Sequence, residues 1–292
     1  MTSPPTTVPR GGLRMQTELL RRFLESECLA IVAIAGLLAT LALAVPKMIV
    51  GDTWLALVDG RWVAEHGLPK TDALAAWTAG TSWVDQQWFA QLALYHVAHI
   101  GGMRLTLALA FALDAAAIVV AAIGARRAGA TVRSVAIAVP VALIVAPWAL
   151  QARTQSFALP LFVAVYALLA ADSRRPSRRV FLVLPLLAVW GNLHGSAVLG
   201  AGLAVALGLL RARSQPRRSA ALAGGAVASL LVSPYGSDLI GYYHTLLIGS
   251  PLRQYVDEWR PTSFGLITTA FFVVAFSSVY LVARHARAVS TL

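Results

Sequence analysis

Residues 29–50, LAIVAIAGLLATLALAVPKMIV, carry one charge, Lys47, close to their end. As a helix such a run is long enough to cross a hydrocarbon core of ~30 Å. Further apolar segments follow at 104–125, 131–150, 156–171, 180–192, 195–211, 218–234 and 264–283. Composition agrees: 13% of the 292 residues are charged, against about 25% in soluble domains. These runs predict an all-α polytopic membrane protein with about eight transmembrane helices. The chain divides into a tail and interfacial helix over 1–28, one transmembrane domain over 29–284, and a tail over 285–292. No room remains for a separate soluble domain.

The ends add little chemistry. Residues 1–12 are rich in Pro, Thr and Gly, a composition expected to stay disordered. Residues 13–27 read as a short interfacial helix. The run at 29–50 is longer than the apolar part of a usual signal peptide. A lone cysteine, Cys28, allows no intramolecular disulfide and no metal cluster.

Charge orients the segments. With the N-terminus inside, the inner stretches are 1–28, 126–133, 172–179, 211–218 and 284–292, and they hold most of the 24 basic residues. Asp52, Asp59, Glu65, Asp72, Asp85, Asp238, Asp257 and Glu258 fall on the other side. Four separate arginine-rich loops agree with one register, as basic residues stay cytoplasmic. The net charge of +11 is therefore orientation rather than a nucleic-acid surface. The expected site is a cell (plasma) membrane, with both termini cytoplasmic.

The segment WFAQLALYHVAHI, 88–100, has too few residues to span, and a crossing there would invert every later arginine loop. It reads as an amphipathic helix on the outer face, begun by a Ser82–Asp85 capping box and ended by Gly101-Gly102. Trp54 to His66 reads as another, with Trp54, Val58 and Trp62 on one face. The external loop 51–103 thus holds two juxtamembrane helices, and polar chemistry gathers on the extracytoplasmic face.

A first helix followed by a long external loop with an Asp at its start and two juxtamembrane helices resembles the GT-C fold. That superfamily consists of membrane glycosyltransferases using polyprenyl-phosphate-linked sugars. The residues carrying the resemblance are Asp52-Thr-Trp, the stretch Gly60 to Asp72, Gly80-Thr-Ser-Trp83, Arg153-Thr-Gln-Ser-Phe, Trp190-Gly-Asn-Leu-His194-Gly-Ser and Ser233-Pro-Tyr-Gly. Some GT-C-like proteins with such blocks have no assigned function. The resemblance implies an inverting transfer from a polyprenyl-phosphate sugar donor to an extracytoplasmic glycan or lipid acceptor. By position it makes Asp52 a general base or metal holder, with a divalent cation possible. Two features depart from the family: Thr53 stands where a second acid would be, and eight helices are few.

Physical chemistry gives each candidate two readings. A base must lie within hydrogen-bond reach of its hydroxyl, and a carboxylate at the bilayer edge gains basicity by partial desolvation. Asp52 suits this, and also suits an N-cap of a helix starting at Trp54. Asp85, Gln87 and Trp88 offer acid, amide and aromatic face to an acceptor sugar, or simply open a helix. Arg153 offers a fork for phosphate or for outer-leaflet headgroups; Arg253 and Arg260 are further candidates. Asn192 and His194 could meet a phosphate oxygen or break a re-entrant turn. Tyr235 and Glu258 could line an acceptor cleft, although interfacial anchoring explains aromatic residues such as Tyr235 more simply. Asp59 reads as surface, Glu65 and Asp72 as solvated. Asp114 is the one carboxylate expected inside a span, with no basic partner in view.

The rival reading is a non-catalytic GT-C-like membrane subunit or a small-molecule or lipid transporter. Transporters concentrate broken helices and polar groups near the midplane, whereas polarity here crowds one surface. No Walker loop, dinucleotide fingerprint, CxxC pair or HExxH motif occurs.

Overall fold

The structure is a computed structural model that describes residues 10–145, 151–248, 263 and 265–284. Among these residues the protein is helical throughout, with one isolated β-bridge, Thr71 to Ser82. The helices are α1 (Arg10–Ala44), α2 (Gly51–His66), α3 (Trp88–Arg127), α4 (Val132–Val145), α5 (Ala158–Arg174), α6 (Val183–Leu193), α7 (Ala197–Arg211), α8 (Pro216–Ser229), α9 (Asp238–Leu247) and α10 (Leu266–Arg284). The expected tails 1–9 and 285–292 and the end of the third apolar run, 146–150, lie outside the described residues.

Three stretches are long and apolar enough to cross a membrane: Met15–Ala44, Trp88–Arg127 and Thr154–Arg174. Val132–Ala142, Ala197–Arg211 and Thr268–Leu281 are apolar but shorter. α6, with 11 residues, is only about 16 Å long. Large apolar side chains stand exposed along the bundle, among them Leu43, Ile137, Leu199, Leu210, Val273 and Phe276. Such a surface suits lipid rather than water.

Two boundaries differ from the sequence reading. The interfacial helix and first span are one helix, α1, which ends at Ala44 because Pro46 follows and disfavours helical backbone before it. The surface helix at 88–100 and the span at 104–125 are likewise joined in α3. Only Gly102 leaves helical geometry, at φ 64° and ψ −169°, a conformation open to glycine. The glycine pair therefore kinks the chain without adding a loop. No Ser82–Asp85 capping box forms; Gln87 is the N-cap of α3, without a side-chain bond, and Ser82 belongs to the β-bridge.

The main core joins α5 to α8 around Val165, Leu187, Trp190, Ala201, Ala204, Leu222 and Ala226. Small residues make this packing close. A Cβ on Gly200 would stand 2.7 Å from the Trp190 ring, and one on Gly208 3.0 Å from the Ser219 carbonyl. With Ala204 they form a small-residue stripe of the kind that lets membrane helices approach. A second cluster, Ala30, Ala122 and Val135, joins α1, α3 and α4.

α2 lies against the start of α3. Its buried face is Thr53, Ala56, Gly60 and Val63, all small or slender. A Cβ on Gly60 would sit 2.1 Å from the Gln91 carbonyl oxygen, so only glycine fits. Trp54 and Val58 point away and are exposed.

The candidate functional site

Two segments about a hundred residues apart meet where α2 begins. The Thr53 hydroxyl accepts from the Val50 N–H at 3.0 Å and donates to the Ala152 carbonyl at 2.5 Å. It therefore caps α2 and pins it to the segment before α5. This corrects the reading of Asp52 as the cap: Asp52 sits in the first turn of α2, and its neighbour Thr53 does the capping. The carboxylate of Asp52 instead meets Arg153, with Nη1 to Oδ2 at 2.9 Å. The two side chains differ sharply in exposure, 8% for Arg153 and 60% for Asp52. The guanidinium is fixed in the protein and the carboxylate lies on its open side.

Beyond Arg153, a set of separate hydrogen bonds ties together the end of the bundle opposite the arginine loops. Thr154 donates to Gln87 Oε1. Trp88 Nε1 donates to Asn192 Oδ1 at 3.0 Å, and Asn192 Nδ2 donates to the carbonyls of Ala188 at 2.8 Å and Val232 at 2.7 Å. Gln86 donates to the Gly191 carbonyl, and Tyr242 donates to Gln86 Oε1 at 3.5 Å. Tyr235 donates to the Pro69 carbonyl at 2.9 Å. His194 accepts at Nδ1 from the Ser196 N–H at 3.2 Å and meets the Ser196 hydroxyl at 2.8 Å, at the start of α7.

Asp52, Asp85, Gln87, Trp88, Arg153, Asn192, His194 and Tyr235 are thereby gathered at one end of the molecule. Asp52 and Arg153 are in direct contact, whereas the amide of Asn192 is spent on holding α6. Glu258, Arg253 and Arg260 lie outside the described residues. Among the described residues no three His, Cys, Asp or Glu side chains are placed to hold a metal ion.

A neighbouring feature escapes the sequence reading. The loop between α2 and α3 folds over a cleft of about 240 Å³ lined by Leu55, Asp59, Trp62, Pro69, Asp72, Trp83 and Asp85, among others. Asp72 is buried, not solvated. Its Oδ1 accepts from the N–H groups of Leu74 and Ala75 at 3.0 Å each, and its Oδ2 from Thr78 at 2.5 Å. The Ala75 N–H and Thr78 hydroxyl hold its pKa below the usual range. It organises the loop.

Asp59 is half-buried rather than a plain surface carboxylate; burial pushes its pKa up to about 6, and Asp72 adds to the push. Asp85 is buried, and burial pushes it up to about 7, with Asp59 adding to the effect. The Gln91 side chain and Gln87 backbone N–H pull it the other way. Asp85 also presses on Tyr235, whose pKa is pushed up to about 12, first by burial. In the sequence, the signal is an acid beside a tryptophan in each arm of the loop: Asp59 with Trp62, and Asp85 with Trp83.

No protein-family model matches the chain, nor does any curated protein or solved structure.

Proposed function

We propose that the protein is a GT-C-type membrane glycosyltransferase of about eight transmembrane helices, with both termini cytoplasmic and the Asp52–Arg153 end facing outward. It transfers a sugar from a polyprenyl-phosphate donor to an extracytoplasmic glycan or lipid acceptor, inverting the anomeric centre. The observation that carries the reading is the contact between the exposed Asp52 and the buried Arg153.

The pair has the chemistry of an exchange site. An incoming lipid phosphate presents two or more oxygens and competes with the Asp52 carboxylate for the Arg153 guanidinium. Phosphate displaces Asp52 from Arg153 and leaves the carboxylate free beside the donor. Asp52 then takes the proton of the acceptor hydroxyl as that oxygen bonds to the anomeric carbon. The bond from the anomeric carbon to the phosphate oxygen breaks, its electron pair stays on the lipid phosphate, and Arg153 steadies the charge.

The test is transfer from labelled polyprenyl-phosphate sugars in membranes carrying the wild type, Asp52→Asn or Arg153→Lys. Asp52→Asn is expected to abolish transfer. Arg153→Lys is expected to lower it by at least about tenfold, through loss of the bidentate phosphate contact. Full activity in Asp52→Asn sinks the base assignment.

One observation favours the transporter reading. Asp114 in α3 is buried and neither carboxyl oxygen has a hydrogen-bond partner among the described residues. Intramembrane carboxylates of this kind often mark ion or substrate paths. Asp114→Asn that retains sugar transfer but loses a measurable flux into proteoliposomes would support it.

A further inference from the structure

Two stretches at the arginine end, 172–179 at the junction of α5 and α6 and 211–218 at that of α7 and α8, carry four arginines each. Asp172 is the single acidic residue anywhere between positions 115 and 237. The sequence itself thus gives these junctions one carboxylate against eight guanidinium groups. That carboxylate is spent: it is 2% exposed and lies between Arg211 and Arg218, which brings the two junctions together. Arg174, Arg175, Arg178, Arg179, Arg213 and Arg217 are left exposed, and none has an ion pair or side-chain hydrogen bond among the described residues.

The six are held on a built scaffold. Arg218 lies over the Phe181 ring, 5.9 Å from its centre, and the Ser177 hydroxyl accepts from the Arg179 N–H at 3.3 Å to cap the short helix begun at Arg178. α8 opens with Pro216-Arg217-Arg218, with no acid in its first turn and no side-chain cap, so the positive end of the helix adds to the arginines. The acids of α1 are engaged elsewhere, Glu18 and Glu25 by Arg21 and Arg22, and Glu27 by Arg126. The sidedness of basic residues accounts for the end at which these arginines lie. It does not require two junctions to be clasped together with six like charges around them, and that self-repulsion calls for an anion. The apolar neighbours say which kind. Leu209 and Leu210, 69% and 84% exposed, directly precede Arg211, and Leu182, 54% exposed, follows Arg179 by one turn.

We propose that these two junctions together bind an anionic phospholipid, its phosphate on the arginines and its acyl chains along Leu182, Leu209 and Leu210. A phosphodiester offers oxygens that the planar fork of arginine grips in pairs. Basic pockets where membrane helices end suit anionic headgroups. A zwitterionic lipid brings a cation that the patch repels. A soluble phosphate answers the arginines but leaves the leucines uncovered. Neither Asp52 nor Arg153 takes part, so this site and the transferase reading fail separately.

The test uses the full-length protein in neutral detergent micelles, titrated with dioleoylphosphatidylglycerol while bound lipid is counted by native mass spectrometry. Dioleoylphosphatidylcholine has the same chains and no net charge; glycerol 1-phosphate has the phosphate and no chains. Saturable binding of the phosphatidylglycerol, with neither control bound nor competing at equal concentration, is expected. Arg174→Gln with Arg175→Gln, and separately Arg213→Gln with Arg217→Gln, should each weaken it by at least about tenfold, since each basic residue near a membrane surface is worth roughly fivefold. Arg127→Gln with Arg133→Gln removes two exposed arginines from the α3–α4 junction on the same side and should leave binding unchanged. Equal binding of phosphatidylcholine overturns the proposal. So does competition by glycerol 1-phosphate, which would make the site one for a soluble anion, or an equal loss in the Arg127 and Arg133 variant, which would leave only net charge. Should one of the two double variants fail to accumulate, the other carries the comparison with that control.

Discussion

Two carboxylates, one at each end of the bundle, are held by arginine in opposite ways. Asp172, at the arginine end, is 2% exposed and sits between Arg211 and Arg218. Arg211 Nη1 reaches its Oδ2 at 2.5 Å, the Ser177 N–H reaches Oδ1 at 2.7 Å, and Arg218 donates to Oδ1 as well. Arg211 also donates to the carbonyls of Asp172 and Ser173 in the last turn of α5, and Arg218 to that of Ser177 beyond it. Here the acid is the closed centre and the arginines are the clasp. At the other end the geometry is inverted: Arg153 is buried and Asp52 lies outside it. Closure on every side fits a structural tie between α5, α7 and α8, and one open side fits a contact that can exchange.

Asp172→Ala offers the strongest way to break the contrast. It strands two partly buried arginines, and breaking a buried ion pair from one side costs about 3–5 kcal/mol. The expected outcome is protein that loses its thermal transition or is not monodisperse in detergent. An unchanged melting temperature would remove the distinction between clasp and exchange pair.

A smaller loss is expected where α2 meets α3. Gly60→Ala forces a methyl carbon toward the Gln91 carbonyl, which as backbone cannot turn aside. Overpacking of this kind costs about 1–3 kcal/mol. Hydrogen exchange should rise through α2 and residues 67–87, while the core of α5 to α8 keeps its protection. A uniform rise across both ends would mean that the two regions are not energetically separate.

The sequence carried the helices well and their junctions poorly. Each apolar run falls on a helix because hydrophobic periodicity and length are local properties. The kink at Gly102 and the end at Ala44 were half-legible, since glycine and proline mark a break without saying whether a loop follows. Asp52 and Arg153 were both readable as candidates, but no pattern joins residues a hundred positions apart. Asp59, Asp72 and Asp85 look alike in the sequence. All three line the same cleft, and what separates them is their partners: the loop gives Asp72 two N–H groups and the Thr78 hydroxyl, whereas Asp59 and Asp85 share the Gln91 amide. Gly60 is what lets α2 approach the Gln91 carbonyl closely, a packing role that a single glycine in an amphipathic run does not announce.

Asp85 supplies a pH-dependent contrast inside the acidic end. Its carboxyl holds a proton up to about pH 7 when folded, against 3.8 for an ordinary aspartate. Between those values the folded chain binds more protons than the unfolded one, so stability falls as pH rises through the window. The loss is complete above the folded pKa. Asp85→Asn is neutral at all pH and should flatten this slope, raising stability at pH 8 by roughly 1 kcal/mol. That is less than the full shift implies, because the amide gives up part of the bonding to Gln91 and the Gln87 N–H. A slope between pH 4 and 7 that survives in Asp85→Asn would assign it to other groups.

Asp52→Asn should have the smallest effect on stability and the largest on chemistry. Its carboxylate is mostly exposed, and water and salt screen its attraction to Arg153, so its removal costs within about 1 kcal/mol. The isosteric amide still accepts from Arg153, and Thr53 continues to cap α2. The melting temperature is therefore expected to stay within the scatter of the wild type while sugar transfer disappears. The opposite pattern, a large thermal loss with transfer retained, would make the pair at this end another tie like the one at Asp172. Raising the salt concentration separates the two cases further. A screened surface contact weakens, whereas a buried clasp does not. Salt should thus move the wild type toward Asp52→Asn in stability, and leave Asp172 and its arginines untouched.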